Sequence, residues 1–462
     1  MIFGYFASCE RDAFQEGRKG SFSFSTDTVA FDTIFTNLGT ATYKLIVRNP
    51  NNFKIEFDSV YLALKAANTF ILNIDGQSAN VVKKLSLDAR DSLYIFIQAY
   101  VPETSENAPF VKEDSLVFVS GLNRADIKLI AVAQNVVSFR NSSIKSQVWS
   151  KDKPYLIFGT LTVDSASNLK IGEGTRVYFH RNARMIINGA LEVNGTYLSP
   201  VIFKGDRLEK DYDTIPGQWD GIYLAGADYP HLIRNAIIRN GTNGIHVGSP
   251  NNNKEVNVKI ENTVSINMGY SSLIAYQAEI IAYNCVFANS SYSACTILNG
   301  GKYEFLHCTI ANYGAKYVDR NFDSRTLVMQ NFFSYVNNEG ESILKSNDLE
   351  KAEFRNTIIY GGNNDEIKLS FKDTHLHYYL FDHCLLKLST TTSSDPDIVN
   401  SLISKSPEFK NPDTENFRLD TISPAKDGGK FDFSLPLPVD LDNNSRLNDL
   451  APDMGAYERI EK

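Results

Sequence analysis

The chain has 462 residues, a formal net charge of −8 and a pI near 5.5, a balance that sets nucleic acid aside as a partner because neutralising phosphates needs a basic face. Its five cysteines, Cys9, Cys285, Cys295, Cys308 and Cys384, form no Cys-x-x-Cys pair, which removes zinc ribbons and dithiol redox motifs. No stretch beyond the first residues approaches the ~20 apolar residues of a membrane span.

Met1 to Cys9 reads MIFGYFASC, an apolar run closing on Phe6-Ala7-Ser8-Cys9 and followed by the polar Glu10-Arg11-Asp12. It resembles the end of a Gram-negative bacterial lipoprotein signal, in which the Cys becomes the lipidated first residue. The resemblance implies that residues 1–21 are a signal remnant and tether, with lipid attached at Cys9. It also implies a protein anchored to the outer membrane and facing the cell exterior.

Residues 22–138 alternate apolar and polar positions in short runs at 22–24, 29–35, 43–48, 54–63, 70–74, 81–87, 92–101, 115–119 and 127–132. Turn signals such as Asn49-Pro50-Asn51-Asn52 and Asp75-Gly76 separate them. This spacing predicts a β-sandwich of immunoglobulin type. The Cys…Trp…Cys pattern is missing, so only the architecture carries over. The polar stretch 139–153 reads as a linker.

From 154 to about 400 the chain repeats itself. Residues 156–163 (LIFGTLTV) are echoed 30 residues later by 186–193 (IINGALEV). A second phrase, polar then Asn or His, then small, then aliphatic, recurs at Asn235, Asn262, Asn284, His307, Asn356 and His383. With Asn331 admitted as a degenerate member, the steps are 27, 22, 23, 24, 25 and 27 residues. A period near 25 built from short β-branched runs, with no helical periodicity, predicts a parallel β-helix. Turns stack one strand spacing apart, ~4.8 Å, so equivalent residues lie in columns. The Asn/His column is expected as an amide ladder inside the coil. The small column (Ala236, Thr263, Cys285, Cys308, Thr357, Cys384) is expected at an inward corner, with the next aliphatic residue, Ile237 or Ile358, in the core.

These phrases, with Leu169-Lys170-Ile171-Gly172-Glu173-Gly174 and Pro216-Gly217-Gln218-Trp219-Asp220-Gly221, resemble the right-handed parallel β-helix repeat proteins of bacterial surfaces. The tail, 401–462, carries Ser406-Pro407-Glu408-Phe409, Ser423-Pro424-Ala425-Lys426-Asp427-Gly428-Gly429 and Pro452-Asp453-Met454-Gly455-Ala456-Tyr457. It resembles the choice-of-anchor segment that closes many such proteins, and a solenoid end needs a cap. The fold class is therefore all-β, an N-terminal sandwich followed by a capped right-handed parallel β-helix.

Chemistry is written less clearly than fold. Asp440-x-Asp442-x-Asn444 opens like a calcium loop, but Ser445 replaces the turn Gly and Ala451 the bidentate Glu. Asp373, His375 and His377 alternate, so a strand would project all three from one face toward a metal, with His383 nearby; a solvated strand face explains the same alternation. Carboxylates gather in the excursion Asp206, Glu209, Asp211, Asp213 and at Asp220, where a lyase or glycoside hydrolase could place an acid and a base. Phosphate loops, nucleophile elbows and His-Glu-x-x-His helices do not occur. No cofactor and no metal is expected.

The ligand site is expected between two coils at Tyr313, Tyr317, Asp319, Arg320, Asp323 and Arg325, where rings stack on sugars and guanidinium grips a uronate or sulfate. The leading expectation is a non-catalytic surface lipoprotein that binds polysaccharide or host-surface glycan. A polysaccharide lyase or glycoside hydrolase on the same scaffold is the alternative, and a structural spacer the second.

Overall fold

The computed structural model describes residues 20–64, 69–250, 254–314, 324–337, 339–389, 395–448 and 451–460. The chain is all-β and divides into two compact units, Met1–Val136 and Val137–Lys462.

The first unit is a sandwich of two sheets. One runs in the order Ser23–Phe24, Tyr43–Arg48, Ser92–Ala99, Phe70–Ile74, Gln77–Ser78; the other runs Thr28–Phe35, Asn123–Gln134, Phe110–Ser120, Ile55–Leu62, Val81–Leu87. Pairing is antiparallel except where Thr28–Phe35 lies parallel to Asn123–Gln134. The period-2 pattern decides the faces: in Ser92–Ala99, Leu93, Ile95, Ile97 and Ala99 turn inward while Tyr94 and Phe96 stay exposed. Phe57, Phe118 and Phe22 pack edge-on in the core between the sheets.

The second unit is a parallel β-helix, one 26-stranded parallel sheet coiled three strands to the turn. Its three flanks are called here the first, second and third sheets. In the first sheet Val201–Gly205, Ala236–Arg239, Val264–Met268, Val286–Ser290, Thr309–Asn312 and Ile358–Gly361 follow one another. The second includes Arg184–Ile187, Gly221–Leu224 and Asn243–Val247; the third includes Ala190–Asn194, His231–Arg234 and Val256–Glu261. Inside, Phe305, Phe354 and Phe381 stack turn upon turn at 4.7 and 4.9 Å.

The coil begins earlier than the sequence suggested. Residues 139–153 are not a linker: Val137–Ile144 and Gln147–Trp149 are strands of the first turn, parallel to Tyr155–Val163 and Asn168–Ile171. Their polar residues face outward, whereas Ile144 and Trp149 are buried, Trp149 stacked on Tyr155 at 4.2 Å.

The Asn/His column is a corner outside the lumen rather than inside the coil, and it forms the expected ladder only in part, Asn284 Nδ2 donating to Asn262 Oδ1 at 3.2 Å and Asn356 Nδ2 bonding His307 Nε2 at 3.1 Å. Asn235, Asn262, Asn284, His307, Asn356 and His383 all have positive φ, between 46 and 54°, and Asn400 continues the series at 50°. This left-handed conformation costs L-residues energy, and Asn tolerates it through its short polar side chain. The side chains point out of the coil: Asn284 Nδ2 donates to Val439 O at 2.8 Å and Asn356 Nδ2 to Lys430 O at 3.0 Å. Asn331 does not belong to the column. It follows the second-sheet strand Leu327–Gln330 and exchanges hydrogen bonds with the backbone of Lys372. The turn from His307 to Asn356 is one long turn of 49 residues that carries the antiparallel hairpin Phe332–Val336, Ser342–Ser346.

The small column does point inward, as expected. Cys285, Cys308 and Cys384 are fully buried free thiols that donate to carbonyls of the preceding turn, Ile260, Ala282 and Phe354. Strand alternation then sends the next residue outward and the second inward. Ile237 is half-buried and Ile358 packs outside the coil against Leu419, Ala425 and Met454, while Ile238 and Ile359 fill the lumen. The expected core register was therefore one residue early. Ile238→Ala should cost ~2–5 kcal/mol, as buried large-to-small changes do, and Ile237→Ala distinctly less; denaturant unfolding of the two variants checks the order.

The tail is a lateral strap rather than an end cap. It lies along the outside of the first sheet, where Phe417, Ala456 and Tyr457 cover Ile266, Val286, Ala288 and Ala311. Glu415 pairs with Arg239 at 3.1 Å, and Ala456 N donates to Thr309 Oγ1 at 3.0 Å. The outward aliphatic residues of that sheet explain its course, since they would otherwise leave a long apolar stripe in water.

Candidate functional site

The three flanks differ in what they present. The first lies under the strap. The third carries ion pairs, among them Lys170–Glu192, Arg234–Glu261 and Lys351–Glu304. The second carries aromatic rings.

Register builds this aromatic strip. Ile222 pairs with Ile245 and Ile245 with Leu273, and Leu224, Val247 and Ala275 follow in the same way. All six are fully buried in the lumen. Alternation therefore turns Tyr223 and His246 outward in adjacent turns, and Tyr276, next after Ala275, outward in the third. Their rings lie against one another, Tyr223 tilted 37° to His246 at 4.7 Å and His246 stacked on Tyr276 at 5.3 Å. Beside them Tyr270 and Tyr292 stack at 4.8 Å with planes 1° apart. The hairpin of the long turn forms a wall: Phe333 meets Tyr276 edge-on at 5.0 Å and stacks with Tyr335. Lys345 Nζ donating to Pro250 O and Asn347 Nδ2 donating to Gln277 Oε1 hold the hairpin in place.

At the N-terminal end of the strip Tyr223 Oη donates to Asp220 Oδ1 at 2.8 Å and accepts from Asn243 Nδ2 at 3.3 Å. Arg184 pairs with the other oxygen of Asp220 at 3.3 Å. Burial lowers the His246 pKa to about 4, so the ring is neutral near pH 7. Burial, then the Asp220 charge, pushes the Tyr223 phenol up to about 12; burial does the same for Tyr276. His246 Nδ1 and Asn243 Oδ1 are sealed from solvent without a hydrogen bond. Among the described residues the hydroxyls of Tyr270, Tyr276 and Tyr292 have no partner either. Buried atoms such as His246 Nδ1 and Asn243 Oδ1 are normally satisfied, whereas Tyr270 is 43% exposed and its hydroxyl is open to water. Such a strip offers neutral donors and acceptors beside apolar rings, the make-up of a small-molecule or sugar site.

The residues singled out from the sequence are placed elsewhere. Tyr313 packs its ring against Phe409 and Phe417 of the strap, which raises its pKa by burial. Arg325 donates to Ser324 O and lines a cleft of about 290 Å³ with Asp365, Lys368 and Asp395 over Phe381 and Ile398. Tyr317, Asp319, Arg320, Asp323 and Cys9 lie outside the described residues.

Three of the clustered carboxylates each turn to a cation of their own, Glu209 to Arg207, Asp213 to Lys204 and Asp220 to Arg184, and Asp206 lies 2.7 Å from the His180 ring. Asp373 and His375 lie in a turn, His377 forms a parallel bridge with Leu349, and the three do not converge. His375 bonds Asp348, and His377 stacks on Phe371. Asp440 faces inward to the backbone of Asn444 and Glu458, whereas Asp442 grips Arg418, so the two cannot share an ion. Among the described residues no three His, Cys, Asp or Glu side chains converge as a metal site.

Sequence reasoning missed Tyr223, His246 and Tyr276, which are 23 and 30 residues apart and become neighbours only through stacking. A signal was there: Gly221-Ile222-Tyr223-Leu224 and Gly244-Ile245-His246-Val247 are the same phrase.

No family model and no curated protein matches the chain. Among solved structures, it is similar to the catalytic unit of a GH87 α-1,3-glucanase from Streptomyces thermodiastaticus strain HF3-3, with TM-score 0.24 and 8% identity over 79% of this chain and 88% of that one. A family 123 glycoside hydrolase from Clostridium perfringens gives TM-score 0.19 and 9% identity over 27% of this chain and 26% of the enzyme. A PapD-like domain of human CEP192 gives 0.17 and 9% over 28% and 96%. Similarities this low carry no argument about activity or ligand.

Proposed function

We propose that the protein binds glycan through the aromatic strip of its β-helix and does not cleave it. The observation that carries this reading is the half-buried run of rings Tyr223–His246–Tyr276 beside the stacked pair Tyr270–Tyr292, apolar faces with phenol hydroxyls at their edges. Rings with polar edges suit a ligand that is itself part apolar and rich in hydroxyls. Cleavage would need an acid and a base facing one bond, and the nearest carboxylate, Asp220, is bound to Tyr223 and Arg184. A glycan array followed by product analysis tests this. Bound glycan without unsaturated or reducing-end products is the expected result, products would make the protein a lyase or hydrolase, and no binding would leave a spacer.

The same reading includes a lipid tether at Cys9 that holds the solenoid outside the outer membrane. Expressed from its genomic sequence in a Gram-negative host, the protein should fractionate with membranes and Cys9→Ala should release it; soluble wild-type protein would remove the anchor.

A further inference from the structure

Charge is segregated over the β-helix. On the third sheet Arg234 and Lys259 both hold Glu261 at 2.7 Å, Lys351 lies 2.8 Å from Glu304, and Arg355 lies 2.8 Å from Glu353. On the second sheet, among the described residues from Gly221 to Tyr292, the outward groups of the strip are Tyr223, Asn243, His246, Tyr270, Tyr276 and Tyr292. The charges that border them are Arg184 and Asp220, which cancel in an ion pair at 3.3 Å, and Lys345 of the hairpin, whose Nζ donates to Pro250 O at 2.6 Å.

We infer that the ligand of this strip is a neutral glycan, bearing hydroxyls but no uronate or sulfate, laid along the axis of the β-helix. This rests on the strip being the binding site. An anionic sugar is recognised by guanidinium or ammonium groups in bidentate or charge-assisted contact. Arg184, the guanidinium at the strip, is already held by Asp220, and releasing it would leave that carboxylate beside the incoming anion. The chain as a whole carries −8, so long-range repulsion also opposes an anion. A hydroxyl, by contrast, can both donate and accept, which matches the phenols of Tyr270, Tyr276 and Tyr292 beside an uncharged imidazole ring. Successive turns lie ~4.8 Å apart, so a chain running along the axis meets Tyr223, then His246 and, two residues further along the third strand, Tyr276. The hairpin carrying Phe333 and Tyr335 flanks this path and gives it a side against which apolar ring faces can lie.

The test is calorimetric titration of the full chain with neutral oligosaccharides (glucan, mannan and xylan fragments) and with galacturonate and mannuronate oligomers, each at low and high salt. A neutral fragment should bind with an affinity that salt leaves unchanged. His246→Phe and Tyr276→Phe keep the stacked rings and remove only polar atoms. Each should weaken binding roughly tenfold, about 1.4 kcal/mol, with the unfolding midpoint unmoved. Uronate oligomers that bind, lose affinity in salt and are weakened by His246→Phe would keep the strip as the site and overturn the neutral class. Binding of either class that neither substitution touches, including binding abolished by Arg320→Ala with Arg325→Ala, would overturn both the class and the site, as would no binding of any oligosaccharide.

Discussion

Replacing Arg446 by Ala should destabilise the strapped β-helix by about 3–5 kcal/mol above about pH 8, where Glu458 is ionised, the usual cost of removing one partner from a buried charged pair. Arg446 is fully buried between strap and coil. Its Nη1 lies 3.0 Å from Glu458 Oε2, and its Nη2 donates to Asn284 Oδ1 at 3.1 Å and to Gly455 O at 3.0 Å. One side chain thus joins an acidic residue of the strap, the strap backbone and the corner column of the solenoid. Ala removes the guanidinium from Asn284 Oδ1 and Gly455 O and leaves Glu458 only the Asp453 N–H as donor in a dry site, so the loss exceeds that of any exposed ion pair on the third sheet, each worth ~0–1 kcal/mol. Denaturant unfolding measures the change, and limited proteolysis should show cleavage within 409–460 before the coil is cut. The double variant Arg446→Met, Glu458→Leu should recover much of the loss, because apolar replacement of a whole buried pair is often neutral. An Arg446→Ala protein as stable as the wild type would mean that the strap is held by its apolar contacts alone.

The corner column was legible in the sequence because its cause is local: a left-handed corner selects Asn at Asn235, Asn262, Asn284 and Asn356 whatever surrounds it. The small inward column was legible for a similar reason, since only Ala, Thr or Cys fits beside the corner at Ala236, Cys285 and Cys308. The register of the aliphatic pair was not. Ile358 and Ile359 are equally apolar, and what hides Ile358 is Met454, almost a hundred residues later, so hydropathy alone cannot choose between them. The strap's course was illegible for the same reason, because its partners on the coil, such as Thr309 and Asn356, carry no mark of being covered. The first turn was misread because most of its residues face water and only Ile144 and Trp149 show the core. The candidate site needs the stacking register itself: nothing along the chain brings Tyr223 to His246 until their strands pair.

Stability should fall as the pH rises from about 7 to about 8.5, and Glu458→Gln should flatten that slope. Asp440, Asp453 and Glu458 share one dry site with a single guanidinium, so Arg446 cannot neutralise all three. Burial, then the neighbouring Asp453 charge, raises the Glu458 pKa to about 8, and burial raises Asp453 to about 6. An acid whose folded pKa is raised binds its proton more tightly when folded. Its stabilisation is complete below the unfolded value and is lost as pH climbs through the folded one. Below about pH 6.5 the buried histidines oppose this trend, since His231, His246 and His307 are all depressed by burial and disfavour folding once the unfolded chain protonates them. Above about pH 9 the buried thiols begin to add a slope of the same sign as Glu458, their pKa values being raised by burial. Between these limits Glu458 dominates, and the midpoint of thermal unfolding read across that window isolates it. Gln keeps the size and accepts from Arg446 through its amide oxygen but carries no titratable proton, so a wild-type slope that persists in Glu458→Gln would place the retained proton on another group.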